Sequence, residues 1–350
     1  MKSKERVLSA LSRRGYDRIP IKHCGTPEIN ALLSKHFAIT TEEELLRTIG
    51  DDFRIVEPVY RGPELRTLPD GSWEGIWGER YNSVSFGHGT YPEAVYLPYA
   101  GMTEVEQLAA FPKPSPDWYD YATIREQCER VGEFAVYAGG PGWLDFLNGI
   151  GRCRGVEQVL LDVATEDPVF LELVERRFRF FYGMAECILQ AAGGLIDVIW
   201  CGEDLGTQNG LMISPRTFDR LFADKYKAFF DLAHGYGAKV FMHSCGSVRR
   251  IIPRLIELGL DVLDVVQVAA AEMDIRELKT DFGDRLNFCG SMCVQSTLPY
   301  GTVDDVRREV ELRLQLFDKG GLILGPTHAI QVGTPLENIL AMHETASGLN

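Results

Sequence analysis

A short apolar run, a loop and a longer amphipathic stretch recur along this chain, and that rhythm restricts its fold more than any other feature. The apolar runs are residues 18–22, 52–59, 133–138, 196–201, 238–242, 261–266, 286–289 and 321–324. Such near-continuous runs suit parallel strands buried on both faces. Residues 168–190, 215–236, 248–258 and 303–318 carry apolar side chains at helical spacing. Ser214-Pro215 places a capping hydroxyl ahead of a proline at the first helical position. Thr334-Pro-Leu-Glu337 has the pattern of a capping box opening a last helix over 336–346. Eight strands alternating with helices, after an N-terminal helical segment, predict an α/β fold of the (β/α)₈ TIM-barrel type. A doubly wound open sheet is the alternative, but no glycine-rich dinucleotide fingerprint follows any strand.

Residues 61–100 interrupt the rhythm. Asp70-Gly71 is a hairpin turn signal, and the region is expected to be a β-hairpin insertion after the second strand, lying over the barrel mouth. The 350 residues exceed most single cores, but barrels of this length commonly form one domain, so 1–350 is expected to be one unit.

Charge narrows the function classes. Lys and Arg total 36 against 50 Asp and Glu, a formal charge of −14. This repels nucleic-acid phosphates, and no basic stripe offsets it. No stretch approaches the roughly 20 apolar residues of a membrane helix, and the charged start Met1-Lys-Ser-Lys-Glu-Arg6 has no apolar core of a signal peptide. The eight cysteines are scattered rather than arranged as a disulfide framework. A cytoplasmic protein with reduced thiols is the expectation, with neither nucleic acid nor membrane as partner.

In a barrel, reactive side chains sit at the C-terminal strand ends. In chain order these ends carry His23 and Cys24; Tyr60 and Arg61; Gly140, Pro141 and Trp143; Glu203, Asp204 and Gln208; His243, Ser244 and Cys245; Gln267; Ser291 and Cys293; Thr327 and His328. Soft and borderline metal ligands, His or Cys, recur at four of them. His243 and Cys245, two apart at a strand end, can turn toward one point, and imidazole with thiolate suits Zn²⁺. A third ligand must come from another strand: His328 first, then Cys289 or Cys293, then Glu203 or Gln267. Each has a plainer reading. Cys245 and Cys289 could be small packed hydrophobes, His328 a core histidine, and Glu203-Asp204 the cap of a following helix.

With these residues in place, the chain resembles the uroporphyrinogen decarboxylase superfamily, which also holds zinc- and corrinoid-linked methyltransferases. The resemblance rests on Glu5-Arg-Val-Leu-Ser-Ala-Leu11, Asp17-Arg-Ile-Pro20, Gly206-Thr-Gln-Asn-Gly210 with Ile213-Ser-Pro215, His243-Ser-Cys-Gly246, and His328-Ala-Ile330 with Thr334-Pro-Leu-Glu-Asn338. It implies the same barrel. True decarboxylases follow the Arg-x-Pro element with an arginine-rich segment that binds substrate carboxylates; here that stretch is Ile21-Lys-His-Cys-Gly-Thr26, without arginine. The methyltransferase branch carries His-x-Cys after the fifth strand, matched by His243 and Cys245, and a third ligand after the eighth, where His328 replaces the usual cysteine.

The resemblance therefore implies zinc-dependent methyl transfer between a small substrate, such as an aryl methyl ether or a thiol, and a corrinoid on a partner protein. Glu203, Asp204 or His23 would serve as general acid. Tyr60, Trp143, Gln208 and Gln267 would contact substrate, and Trp77 and Tyr81 add aromatic surface at the mouth. The direction of transfer stays open, and a homodimer is compatible with the sequence. A cofactor-free decarboxylase and a non-catalytic corrinoid- or tetrapyrrole-binding barrel are the alternatives.

Overall fold

A computed structural model describes residues 1–86 and 89–348. Its centre is a seven-stranded sheet of β1 (Phe53–Ile55), β2 (Ala135–Leu144), β3 (Val198–Gly202), β4 (Lys239–His243), β5 (Val262–Val266), β6 (Asn287–Met292) and β7 (Leu322–Pro326), in that order. Every neighbouring pair is parallel. Residues 18–22, expected as a full strand, contribute a single parallel bridge from Ile21 to Leu324. Pro20 has no N–H to donate, which removes a ladder bond and shortens the pairing.

That segment nevertheless bonds to both edges of the sheet. Lys22 N–H donates to Leu324 O (2.9 Å), Leu324 N–H to Pro20 O (2.8 Å) and Asp52 N–H to Ile21 O (2.9 Å). The Asp52 carboxylate locks the seam. It is fully buried and accepts from Arg6 Nη1 (2.7 Å), Arg18 Nη1 (2.8 Å) and the Ile21 amide (2.9 Å). Arg6 also binds Asp17 (2.7 Å). The arginines of Glu5-Arg-Val and Asp17-Arg-Ile-Pro20 are thus seam residues, remote in role from substrate.

Inside the curled sheet, Phe53, Ala135, Val198, Phe241, Val262 and Ile323 cluster with Val7 and Leu11 of the helix Ser3–Leu11. Lys4 N–H donates to Glu133 O just ahead of β2, so this helix plugs the end where the strands begin. The opposite end stays open.

Helices cover the outside. Pro168–Ala192 starts where Asp167 accepts from the amides of Val169 (2.9 Å) and Phe170 (3.2 Å), and ends at Gly193 in the left-handed conformation. Its buried face runs from Val169, Phe170, Leu173 and Val174 to Ile188 and Leu189; each large side chain contributes about 1.5–3 kcal/mol of burial. Ser214 caps the next helix by accepting from the Thr217 amide (3.0 Å), as its sequence predicts. The expected helix over 215–236 is two, Pro215–Leu221 and Ala223–Gly235, broken at Phe222, whose ring stacks on Phe146 at 5.3 Å. The capping box predicted at Thr334 does not form: the last helix, Leu336–Ser347, is preceded by Pro335 with no side-chain cap. Glu337 then falls too early in the helix to reach back.

The insertion is a three-stranded antiparallel sheet, Trp73–Glu74, Arg80–Ser85 and Thr90–Tyr96, rather than one hairpin; residues 87 and 88 of it lie outside the described residues. The Asp70 carboxylate makes the expected turn by accepting from the Ser72 amide at 3.0 Å. No helix among the described residues is long and apolar enough to cross a membrane.

Candidate metal centre and its cavity

The open end of the sheet holds a cavity of about 620 Å³, whose lining includes Lys22, Asp145, Asp204, His243, Asp264 and His328. Sheet register brings the key residues level. His243 pairs with Gly202 of β3 on one side and with Asp264 of β5 on the other. Asp204, two residues past Gly202, and Cys245, two past His243, then lie at adjacent strand ends.

Asp204, His243 and Cys245 each offer one ligand atom, all within 4.8 Å of one another. Cys245 Sγ is 3.4 Å from His243 Nε2, and Asp204 Oδ1 is 3.5 Å from the same nitrogen. One imidazole, one thiol and one carboxylate at this spacing fit a zinc ion. Neighbours hold each group. Asp264 Oδ2 meets His243 Nδ1 at 3.3 Å, leaving Nε2 toward the cluster. A carboxylate behind a ligating histidine is the usual way a ring is aimed at a metal. Asn148 Nδ2 donates to Asp204 Oδ2 (3.0 Å), and the Cys245 amide to Asp204 Oδ1 (2.9 Å).

The loop after β4 needs its glycine. Gly246 has φ +84°, and a Cβ there would stand 2.5 Å from the Gly206 carbonyl carbon. The Gly246 amide donates to Gln267 Oε1 (2.7 Å), and Ser244 Oγ accepts from the Leu205 amide (3.0 Å). Gly206 and Gly246 of two separate motifs are therefore one packed junction that sets Cys245 against Asp204.

Burial and charge shape the protonation states. Burial alone would lower the His243 pKa, but Asp264 and Cys245 outweigh it and hold the imidazolium well above the ordinary value. Burial pushes the Cys245 thiol up, opposed by His243. Burial would raise Asp264, yet His243 and Lys22 keep it below the carboxylate norm. Burial raises Asp145, although Arg177 and Arg152 oppose it. His328 is lowered by burial and by the charge of His243.

The expected site residues divide. Asp204, His243 and His328 line the cavity, and Cys245 stands in one cluster with the first two. The His328 ring centroid is 6.3 Å from that of His243, so it stands beside the three-atom cluster rather than in it. Glu203 points the other way: it is fully buried and accepts from the amides of Phe146 (2.7 Å) and Leu147 (3.2 Å). Its pKa is pushed well up by burial and by Asp145. His23 bonds Asn30 Oδ1 (3.0 Å) and lines a neighbouring pocket among the N-terminal helices. Tyr60 donates to Pro63 O, and Gln208 to Ala269 O (2.5 Å). Trp143 packs on Phe181 at 5.6 Å, and Gln267 braces the His243 loop. Cys289 lines the cavity, whereas Cys293 accepts from Ser296 Oγ. Trp77 packs on Phe180 and Tyr81 on Trp73; the aromatic walls are Trp200 and Tyr91.

Asp145, Asn148, Arg152, Lys22 and Asp264 were not anticipated as cavity residues. Two had a signal: Lys22 directly follows the apolar Ile19-Pro-Ile21 and Asp264 interrupts Val262–Val266, and a charge in a buried strand needs a reason.

Residues 151–349 match the family described as Uroporphyrinogen decarboxylase (URO-D). The fold is similar to that of a methyltransferase from Methanosarcina mazei, with a TM-score of 0.67 and 17% identity over 99% of each chain. A B12-independent methionine synthase from Shewanella sp. W3-18-1 gives a TM-score of 0.46 at 10% identity, over 92% of this chain and 86% of that one. No curated protein matches the sequence.

Proposed function

The chain belongs to the uroporphyrinogen decarboxylase family, and within it we propose a zinc-dependent methyltransferase that moves a methyl group between a small substrate and a corrinoid on a partner protein. The seven-stranded sheet and the bridging segment at Ile21 are read together as a (β/α)₈ barrel over residues 1–350. The observation that carries the reading is the convergence of Asp204, His243 and Cys245 within 4.8 Å at the open end of the sheet. Similarity to a methyltransferase fold is consistent with it.

Bound there, zinc would act as a Lewis acid, polarising a methyl-bearing oxygen or lowering the pKa of an accepting thiol. The chain's own residues supply the rest. Asp264 keeps Nε2 of His243 directed at the cluster. Asn148 fixes the Asp204 carboxylate. Asp145, held protonated longer than a free carboxyl by its burial, is the acid inside the cavity. It replaces Glu203 and His23, which do not line that space, as the group that would protonate a departing oxygen. His328, kept neutral, is left to bind substrate or to complete the ligand set.

Elemental analysis of the purified chain is expected to find about one zinc per chain. His243→Ala and Cys245→Ala should each lose it, together with methyl exchange against a methylated corrinoid carrier. Full zinc retention in both variants rules out this ligand set.

A further inference from the structure

Lys22 ends the short segment that bridges the sheet edges, and its side chain lines the cavity. It is 9% exposed. Its ammonium lies 4.0 Å from the Trp200 ring centroid and 5.8 Å from that of Tyr137. Among the described residues no carboxylate forms an ion pair with it and no acceptor forms a hydrogen bond to it. Asp264 acts on it through space, but the Asp264 carboxylate is engaged by His243. Burial opposes this charge, yet Asp264 nearby helps outweigh it and keeps the ammonium charged, while its N–H donors, without a hydrogen-bonded partner in the protein, are open to a ligand in the cavity.

We propose that Lys22 anchors the carboxylate of a small organic monoanion whose other end lies against Asp204, His243 and Cys245. One negative charge fits this cavity better than two. Among the other lining charges, His243 meets Asp204 and Asp264, and Arg152 acts on Asp145, so Lys22 is the cation left to balance a ligand, and it balances one charge. Trp200, Tyr91, Val265 and Pro326 provide apolar walls for the body of the ligand. The placement of the ligand's far end rests on the methyl-transfer reading; the charge anchor does not.

Isothermal titration of the full chain, with zinc measured on the same sample, tests this with benzoate, its neutral analogue benzamide, and phenyl phosphate. Benzoate should bind saturably and at least about tenfold more tightly than either of the others. Lys22→Met should reduce benzoate to the benzamide level, and Lys22→Arg should recover most of the difference. Equal binding of benzoate and benzamide by the unmodified chain overturns the anchor. So does absence of saturable benzoate binding, tighter binding of phenyl phosphate, or unchanged benzoate binding in Lys22→Met. The comparison on the unmodified chain decides even if Lys22→Met does not fold. Zinc-free protein with the expected charge preference keeps the anchor and removes the metal reading; zinc-loaded protein indifferent to charge does the reverse.

Discussion

Replacing Asp264 by Asn probes the geometry behind the proposed metal centre without touching a proposed ligand. Asp264 is buried, level with His243 in the sheet, and its Oδ2 is 3.3 Å from Nδ1. Removing the charge weakens a hydrogen bond that fixes the ring and raises the basicity of Nε2. Loss of such a supporting carboxylate typically weakens metal affinity about 10- to 100-fold, or about 1.4–2.7 kcal/mol. The pH dependence has a definite sign. In the metal-free chain Asp264 helps raise the His243 pKa, so a proton competes with zinc at low pH. The variant relieves that competition while losing the orientation. Its affinity deficit should therefore be largest at alkaline pH and shrink as pH falls. Competition against a chromogenic chelator at several pH values measures this, with a thermal melt to verify folding. A folded variant whose zinc Kd stays within about twofold at every pH would refute the role assigned to Asp264.

Further outcomes follow from other parts of the molecule. Asp204→Ala should lower zinc content more than His328→Ala, because Asp204 is in the three-atom cluster and His328 beside it; the reverse order in elemental analysis would restore His328 as the third ligand. Gly246→Ala should reduce zinc content without altering a ligand, since its Cβ would push the loop off Gly206. Asp52→Ala should destabilise by about 3–5 kcal/mol in urea titration, as it strands Arg6 and Arg18 at the seam. Burial lowers the His343 pKa from 6.5 to about 3. A lowered histidine contributes stability above its unfolded pKa that is lost as pH falls, about 2 kcal/mol between pH 7 and 5. His343→Leu should flatten that slope, and an unchanged slope would reject the assignment.

The strand rhythm was legible because each run is apolar on both faces, and seven of the eight expected runs became sheet strands. The remaining run, 18–22, is cut to a single bridge because Pro20 has no N–H for the ladder. His243 and Cys245 were legible from spacing alone: two residues apart at a strand end face the same side. Glu203 and Asp204 were not separable in the same way. Adjacent residues at a strand end point in opposite directions, and nothing local says which one enters the barrel. Asp145, Asn148 and Arg152 were invisible because they lie beyond a ten-residue strand whose register shifts after Gly139.

The sequence by itself determined most element types, the strand ends where candidate residues gather, and one pair of side chains with metal-ligating chemistry, because periodicity and short spacing are local properties. Only the tertiary structure decided that Asp204 joins that pair, that Asp264 stands behind His243, and that Lys22 faces the same cavity. Those meetings depend on the register between β3, β4, β5 and the seam, which is set by long-range backbone pairing and core packing rather than by any stretch of chain alone.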